Sequence, residues 1–136
     1  MDIKQVAKDT AKVLASYLTY QAVRVVIAQL SETNPPVAIW LSNASSTGKI
    51  QDGEVYLQEL LSQNQELAFR IMTVREHLAE EVADYLPEMV RAGIKQANMG
   101  HKRQHLERIT QLNMSIDRSH PETQLDSETN LDNLSG

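Results

Sequence analysis

Two histidines, His101 and His105, have the spacing in this chain that best suits metal binding. Residues four apart lie on one face of a helix, where two imidazoles can ligate one metal ion. The chain has no cysteine, no third or fourth ligand is evident, and Lys102 and Arg103 between the histidines repel cations. We therefore interpret this segment as a solvated basic face and predict neither a metal site nor a cofactor.

Four carboxylates offer a second possible site for acid–base or metal chemistry. The di-iron bundles use a Glu-x-x-His pair, but here His77 follows Glu76 directly, and the sequence contains no evident set of nucleophile, base and orienting group. Lys49 follows a glycine, as in a phosphate-binding loop, but no strand precedes it. We predict that the chain is not an enzyme and has no catalytic residue. The four carboxylates are Glu76, Glu80, Glu81 and Asp84.

Tyr17 and Tyr20 lie three residues apart, on one side of a predicted helix. One interpretation makes them core residues whose hydroxyls are hydrogen-bonded within the protein. The other makes them the lining of a groove for an apolar peptide, because tyrosine combines a large contact area with a polar group. The pattern alone leaves both interpretations open.

The segment 91–108 carries five basic residues against Glu107 alone, a pattern that can bind nucleic acid phosphates. The net charge of −5 and the absence of stacking aromatics in the segment disfavour nucleic acid as the partner. An acidic or hydrogen-bonding protein surface fits these charges better. A helical dimer that binds nucleic acid through 91–108 stays as the alternative.

The composition indicates a small all-helical domain in a reducing, cytoplasmic compartment. The chain has 136 residues, only 4% of them aromatic, so Leu, Ile, Val, Ala and Met must build the core. Asp2 and Asp9 disfavour a secretory signal, and no run approaches the roughly 20 apolar residues of a membrane span. We therefore predict no membrane partner.

Apolar periodicity predicts a first helix over 3–30, and Pro35 and Pro36 separate it from a short second helix over 37–41. Thr33 or Asn34 is the expected cap of the second helix. A third helix begins near 51–54 with Asp52 as its cap.

A fourth helix runs from 64 to 112, is interrupted only by Pro87, and would reach roughly 70 Å. A globule of this size has a radius of gyration of only about 14 Å. We therefore predict an elongated oligomer in which another chain covers the apolar residues of this helix. The segment 115–136 is acidic and has no apolar period, which predicts a disordered tail after a helical domain over 1–114.

Several long strings of the chain, from residue 1 to about 112, match one family in order and spacing. On these strings the chain closely resembles RbcX, the cyanobacterial assembly chaperone family of Rubisco. The strings are Lys8-Asp9-Thr10-Ala11-Lys12, Ser16-Tyr17-Leu18-Thr19-Tyr20-Gln21-Ala22, Glu32-Thr33-Asn34-Pro35-Pro36, Gln51-Asp52-Gly53-Glu54, Arg70-Ile71-Met72-Thr73-Val74-Arg75-Glu76-His77, Leu86-Pro87-Glu88-Met89-Val90 and Arg103-Gln104-His105-Leu106-Glu107-Arg108.

The resemblance implies a bent, all-α homodimer of four-helix subunits whose long C-terminal helix is kinked at Pro87. Its central groove would clamp the C-terminal peptide of the Rubisco large subunit, without ATP and until the small subunit displaces the chaperone. It also implies a cytoplasmic location, with association with the carboxysome. The family favours arginine near position 102, where this chain has Lys102. Lysine cannot reproduce the bidentate contact of an arginine. The groove residues would be Tyr17, Tyr20, Ile50 and Gln51, and the surface for the folded large subunit would include Gln29, Glu32, Arg70, Lys102, Arg103 and Arg108.

Overall fold

The computed structural model describes residues 1–46, 48 and 50–119, and this part of the chain contains five helices and no strand. The predicted all-α fold is confirmed. The first helix ends three residues later than predicted, and the second is longer at both ends. The helices are α1 (Ile3–Thr33), α2 (Pro35–Ala44), α3 (Gly53–Gln63), α4 (Gln65–Ala83) and α5 (Leu86–Ser119).

Polar capping side chains and prolines mark the helix boundaries in the first 65 residues. Asp52 caps α3, because its carboxylate accepts hydrogen bonds from the backbone N–H groups of Glu54 and Val55. Asn64 ends α3 and caps α4, accepting a side-chain hydrogen bond from the Leu67 N–H. Asn34 is the N-cap residue of α2 but makes no side-chain capping bond, so the two prolines after it mark that boundary.

The predicted long helix is two helices in the structure. Asp84 and Tyr85 form a turn between α4 and α5, and Pro87 is the second residue of α5. The cause is the one that the sequence predicts, since a proline ring clashes with the carbonyl four residues earlier, here that of Ala83. The first turn of a helix tolerates proline because its N–H groups have no intrahelical partner. The described chain therefore has five helices instead of four.

The core of the unit Met1–Leu86 forms where α1 packs against α2, α3 and α4. The Tyr56 hydroxyl on α3 shares a hydrogen bond with Ser45 Oγ, just after α2, and burial raises the pKa of this tyrosine. The core is aliphatic apart from Tyr56, as the composition predicts. Its buried residues are Ala22, Val23, Val26, Leu30, Ala38, Leu41, Tyr56, Leu57, Leu60, Leu67, Ala68 and Ile71.

Within the described part of the chain, α1 is long and apolar enough to cross a membrane by length and composition. This differs from the sequence prediction, in which no run approaches a membrane span. Six residues of α1 are buried, five of them apolar, and they face the other helices of the unit. This packing accounts for one side of α1, whereas Ile3, Val6, Val13 and Val25 are exposed.

The second unit begins at Pro87, and α5 is its described helix. This helix continues to Ser119, so residues 115–119 of the predicted tail are helical. The rest of that segment, 120–136, lies outside the described residues.

Candidate functional site

The tyrosine pair lies on the exposed side of α1. Tyr17 is 56% exposed and Tyr20 is 44% exposed, whereas Leu18, Thr19 and Ala22 on the other side of the helix are buried. The guanidinium of Arg24 lies 6.0 Å from the centre of the Tyr20 ring. The interpretation of the pair as core residues of the single chain is therefore wrong.

A groove of about 1090 Å³ lies on the first unit, between the N-terminal half of α1, the start of α3 and one face of α4. Of the four predicted groove residues, Gln51 lines it, while Ile50 is half-buried and packs against the core. The tyrosines are not among its lining residues, so one chain does not bring all four together. Its walls include Ala11 to Ser16, Leu18, Asp52, Glu54, Met72, Arg75, Glu76 and Ala79.

The segment that carries Ile50 and Gln51 is fixed to α1 through Gly53. The Gly53 N–H donates a 3.0 Å hydrogen bond to Ser16 Oγ. A Cβ on Gly53 would lie 2.8 Å from Thr19 Oγ1 and 3.2 Å from Ser16 Cα, so only glycine allows this approach. The start of α3 therefore packs directly on the turn of α1 that carries the tyrosine pair.

Arg75 on α4 also takes part in this contact between α1 and α3. Its Nη1 and Nη2 donate to the two carboxylate oxygens of Glu54, over 2.7 and 2.9 Å, and Nη1 also donates to Thr19 Oγ1 over 3.1 Å. The Thr19 hydroxyl in turn donates to the Ala15 carbonyl over 2.7 Å. The hydrogen bond from Arg75 lowers the pKa of Glu54, against the opposing effect of burial.

Sequence reasoning missed this set, which consists of Ser16, Thr19, Gly53, Glu54 and Arg75. Glu54 and Arg75 are 21 residues apart on different helices, and Thr19 is 56 residues from Arg75. No periodicity links such positions. The available signal was local, namely a glycine directly after a helix cap, which indicates a close backbone approach.

Two of the predicted residues for the folded client are in contact. Arg70 Nη2 donates a 2.6 Å hydrogen bond to Gln29 Oε1, which joins α4 to α1. Glu32 is exposed one turn beyond Gln29 on α1. The structure therefore places these three residues on neighbouring turns of one surface.

The other three predicted contact residues lie on α5. Lys102 and Arg103 line a shallow groove of about 620 Å³, together with the apolar side chains of Met99 and Leu106. Arg108 is exposed but does not line this groove, because at 3.6 residues per turn it lies about 120° from Lys102 around the helix. The three cations therefore do not share one face of α5.

No group of three or more metal-binding side chains is found in the residues that the structure describes. On the acidic face of α4, His77 Nε2 lies 2.9 Å from Glu81 Oε1, and both side chains are exposed. This contact uses Glu81, and not Glu76 or Glu80. Thr47 and Lys49, from the rejected phosphate loop, lie outside the described residues.

Comparisons with known proteins agree with this architecture. A family model described as RbcX protein matches residues 1–111. The RuBisCO chaperone RbcX of Anabaena sp. is 60% identical over 134 residues, which cover 98% of both chains. The protein of the same name from Nostoc sp. is 61% identical over 132 residues, which cover 97% of this chain and 99% of the relative.

Solved structures match this chain as well. A crystal structure of RbcX in complex with substrate has a TM-score of 0.76 and 55% sequence identity, and the match covers 81% of this chain and 99% of that chain. At this identity and coverage, the likeness concerns the fold of most of the chain.

Proposed function

This chain belongs to the RbcX family, and on that premise we propose that it is an ATP-independent assembly chaperone for Rubisco. Membership of a chaperone family confirms the prediction that the chain is not an enzyme. The site also contains the elements that such a chaperone needs, namely an exposed aromatic pair, an apolar groove and charged contact residues.

The chaperone acts as a homodimer in this proposal. The support comes from α5, which presents large apolar side chains to solvent along its whole length. A single helix cannot bury such residues by itself, and a second copy of the chain would cover them. The exposed residues are Met89, Val90, Ile94, Met99, Leu106, Leu112, Met114 and Ile116.

The ligand of the groove is the extended C-terminal peptide of the Rubisco large subunit. The exposure of Tyr17 and Tyr20 is the observation that carries this proposal, because two aromatic rings exposed side by side form a contact surface that a partner can bury. With Ile50 and Gln51, the pair would line a groove that two copies of the chain complete. An extended peptide loses conformational freedom on binding, so its affinity stays moderate and its release is feasible.

The folded part of the large subunit would contact the charged surfaces of both units. Gln29, Glu32 and Arg70 form one contact region on the first unit, and the basic residues of α5 form the other. Release follows when the small subunit occupies overlapping surface. These steps need no nucleotide, and they take place in the cytoplasm and at the carboxysome. The basic contacts are Lys102, Arg103 and Arg108.

The decisive experiment replaces both tyrosines with alanine and measures peptide binding by calorimetry. The probe is a synthetic peptide with the C-terminal sequence of the Rubisco large subunit, which we call the client peptide. We expect the Tyr17→Ala/Tyr20→Ala variant to lose binding of the client peptide while it stays dimeric in light scattering. Tyr85→Ala is the matched control, since Tyr85 is an exposed tyrosine outside the groove. An intact double variant with unchanged peptide affinity would refute the groove.

A further inference from the structure

We propose that Arg75 is the positioning residue of the peptide groove. Arg75 holds the segment with Ile50 and Gln51 against the turn of α1 that carries Tyr17. The proposal rests on the proposed function, because it concerns the same groove and the same peptide. It assigns Arg75 a role through its neighbours and does not require Arg75 to contact the peptide.

The first step is the geometry of the guanidinium. Arg75 makes two parallel hydrogen bonds to Glu54 and a third to Thr19, so one side chain joins α4 to both α3 and α1. A planar guanidinium fixes the direction of all three bonds, which the single ammonium of lysine cannot do. Arg75 is about three-quarters buried and Thr19 is fully buried, so water competes weakly for the bond between them, whereas the two bonds to the 61% exposed Glu54 are more open to water.

The second step carries this restraint to the groove. Glu54 is in the first turn of α3, next to Gly53, whose N–H donates to Ser16 Oγ. Gln51 is two residues before Gly53 and lines the groove. A restraint on Glu54 is therefore a restraint on Gln51 and Ile50, since Asp52 caps the same turn of α3.

The third step concerns α1. Ser16 and Thr19 alternate along the helix with Tyr17 and Tyr20, so one turn of α1 carries both the anchor of α3 and the tyrosine pair. Thr19 is fully buried, and its hydroxyl bonds to Arg75 and to the Ala15 carbonyl. Within one chain, the turn with the tyrosine pair and the segment with Ile50 and Gln51 thus keep a fixed relative position before the peptide arrives, which lowers the ordering cost of binding.

The experiment titrates the client peptide into the full-length protein and its variants. We expect Arg75→Met and Glu54→Gln each to lower the affinity about two- to fivefold, which corresponds to the loss of one largely solvent-exposed ion pair. The double variant should bind about as weakly as Arg75→Met alone, because that change already removes the link to Glu54. Arg75→Lys should lie between the wild type and Arg75→Met.

Hydrogen exchange of the free protein separates positioning from direct contact. In Arg75→Met, the amides of 50–53 should exchange faster while the buried turns of α1 and α2 keep their protection. If those loop amides exchange as in the wild type while affinity falls, Arg75 acts by touching the peptide, and the positioning proposal is overturned.

Ile71→Val is the matched control for general stability. Ile71 is fully buried on α4, one turn before Arg75, and its replacement destabilises the core without touching the network. An equal loss of affinity in Ile71→Val would overturn the proposal. Glu54→Gln carries the test if Arg75→Met does not fold. Wild-type protein that fails to bind the peptide contradicts the proposed function, whereas variants that bind as tightly as the wild type contradict only the role of Arg75.

Discussion

Arg70 on α4 donates a 2.6 Å hydrogen bond from Nη2 to Oε1 of Gln29 on α1, although the two residues are 41 positions apart in the sequence. The bond places an arginine and an amide, both predicted to contact the folded client, in one fixed arrangement. Half of the Gln29 amide, its Nε2 group, stays available as a donor while its oxygen is engaged. We therefore predict that the pair acts as one contact unit.

The first prediction is that Gln29 and Arg70 are energetically coupled in client binding. We expect Gln29→Ala and Arg70→Ala each to weaken capture of the folded large subunit, with a coupling energy of about 1 kcal/mol between them. The measurement is a double-mutant cycle on client affinity. Glu88→Ala, which breaks the exposed pair with Arg91, is the matched control. Strictly additive effects of the two variants would contradict the prediction.

The second prediction concerns acid. The hydrogen bond from Arg75 holds the pKa of Glu54 below its ordinary value of 4.5, so the ionised form is favoured in the folded state. The stabilisation is complete above the ordinary pKa and is lost as the pH falls through the lower, folded-state pKa. Because Glu54 is 61% exposed, we expect Glu54→Gln to cost only about 0.5–1 kcal/mol of unfolding free energy above roughly pH 5.

The test compares urea denaturation of the wild type and Glu54→Gln at several pH values. The difference in unfolding free energy should be constant near neutral pH and shrink toward zero in strong acid. Glu59→Gln, on the same helix, serves as the control. A difference that grows on acidification would show that the carboxylate is not stabilised by Arg75.

The third prediction is that Gly53→Ala destabilises the first unit. The new Cβ would lie 2.8 Å from Thr19 Oγ1 and 3.1 Å from Thr19 Cβ, and the buried hydroxyl is held by two hydrogen bonds, so it cannot turn away freely. We expect a loss of about 1–3 kcal/mol in chemical denaturation, which is typical of an overpacked contact.

Gly93→Ala is the matched control for that substitution. Gly93 lies inside α5 with open space where a Cβ would stand. Replacement there should stabilise the helix by up to about 1 kcal/mol, because alanine loses less backbone entropy than glycine. Equal stability of Gly53→Ala and the wild type would show that α3 does not pack closely on α1.

Local chemistry made much of the fold predictable from the sequence. Asp52 and Pro87 mark helix boundaries by rules that involve only a few neighbouring residues, and both act as predicted. The proline ring of Pro87 would clash with the carbonyl of Ala83, four residues upstream. The helix is therefore interrupted by a turn before Pro87, at Asp84 and Tyr85. The extension of α1 to Thr33 had no comparable signal, since nothing before Asn34 stops a helix.

The candidate site was less accessible to sequence reasoning. The spacing of Tyr17 and Tyr20 placed them on one side of α1, but which side faces the core depends on α3 and α4. The link between Glu54 and Arg75 depends on the packing angle of three helices, which no single-helix pattern encodes. Gln29 and Arg70 were found only through the family resemblance, and their contact came from the structure.

The last prediction is that Pro87→Ala joins α4 to α5. The alanine N–H can donate to the Ala83 carbonyl, and the steric clash of the ring is removed, so Asp84 and Tyr85 are free to continue the helix. Proline costs about 3 kcal/mol in a helix interior, which is ample to explain the present turn. We expect slower hydrogen exchange at the amides of 84–88 in the variant.

Pro36→Ala at the equivalent position of α2 is the matched control, because Pro35 still separates α1 from α2 there. Exchange at 33–37 should therefore change little in that variant. If the amides of 84–88 in Pro87→Ala exchange as fast as in the wild type, the turn does not depend on the proline ring. Proline would then follow the break instead of causing it.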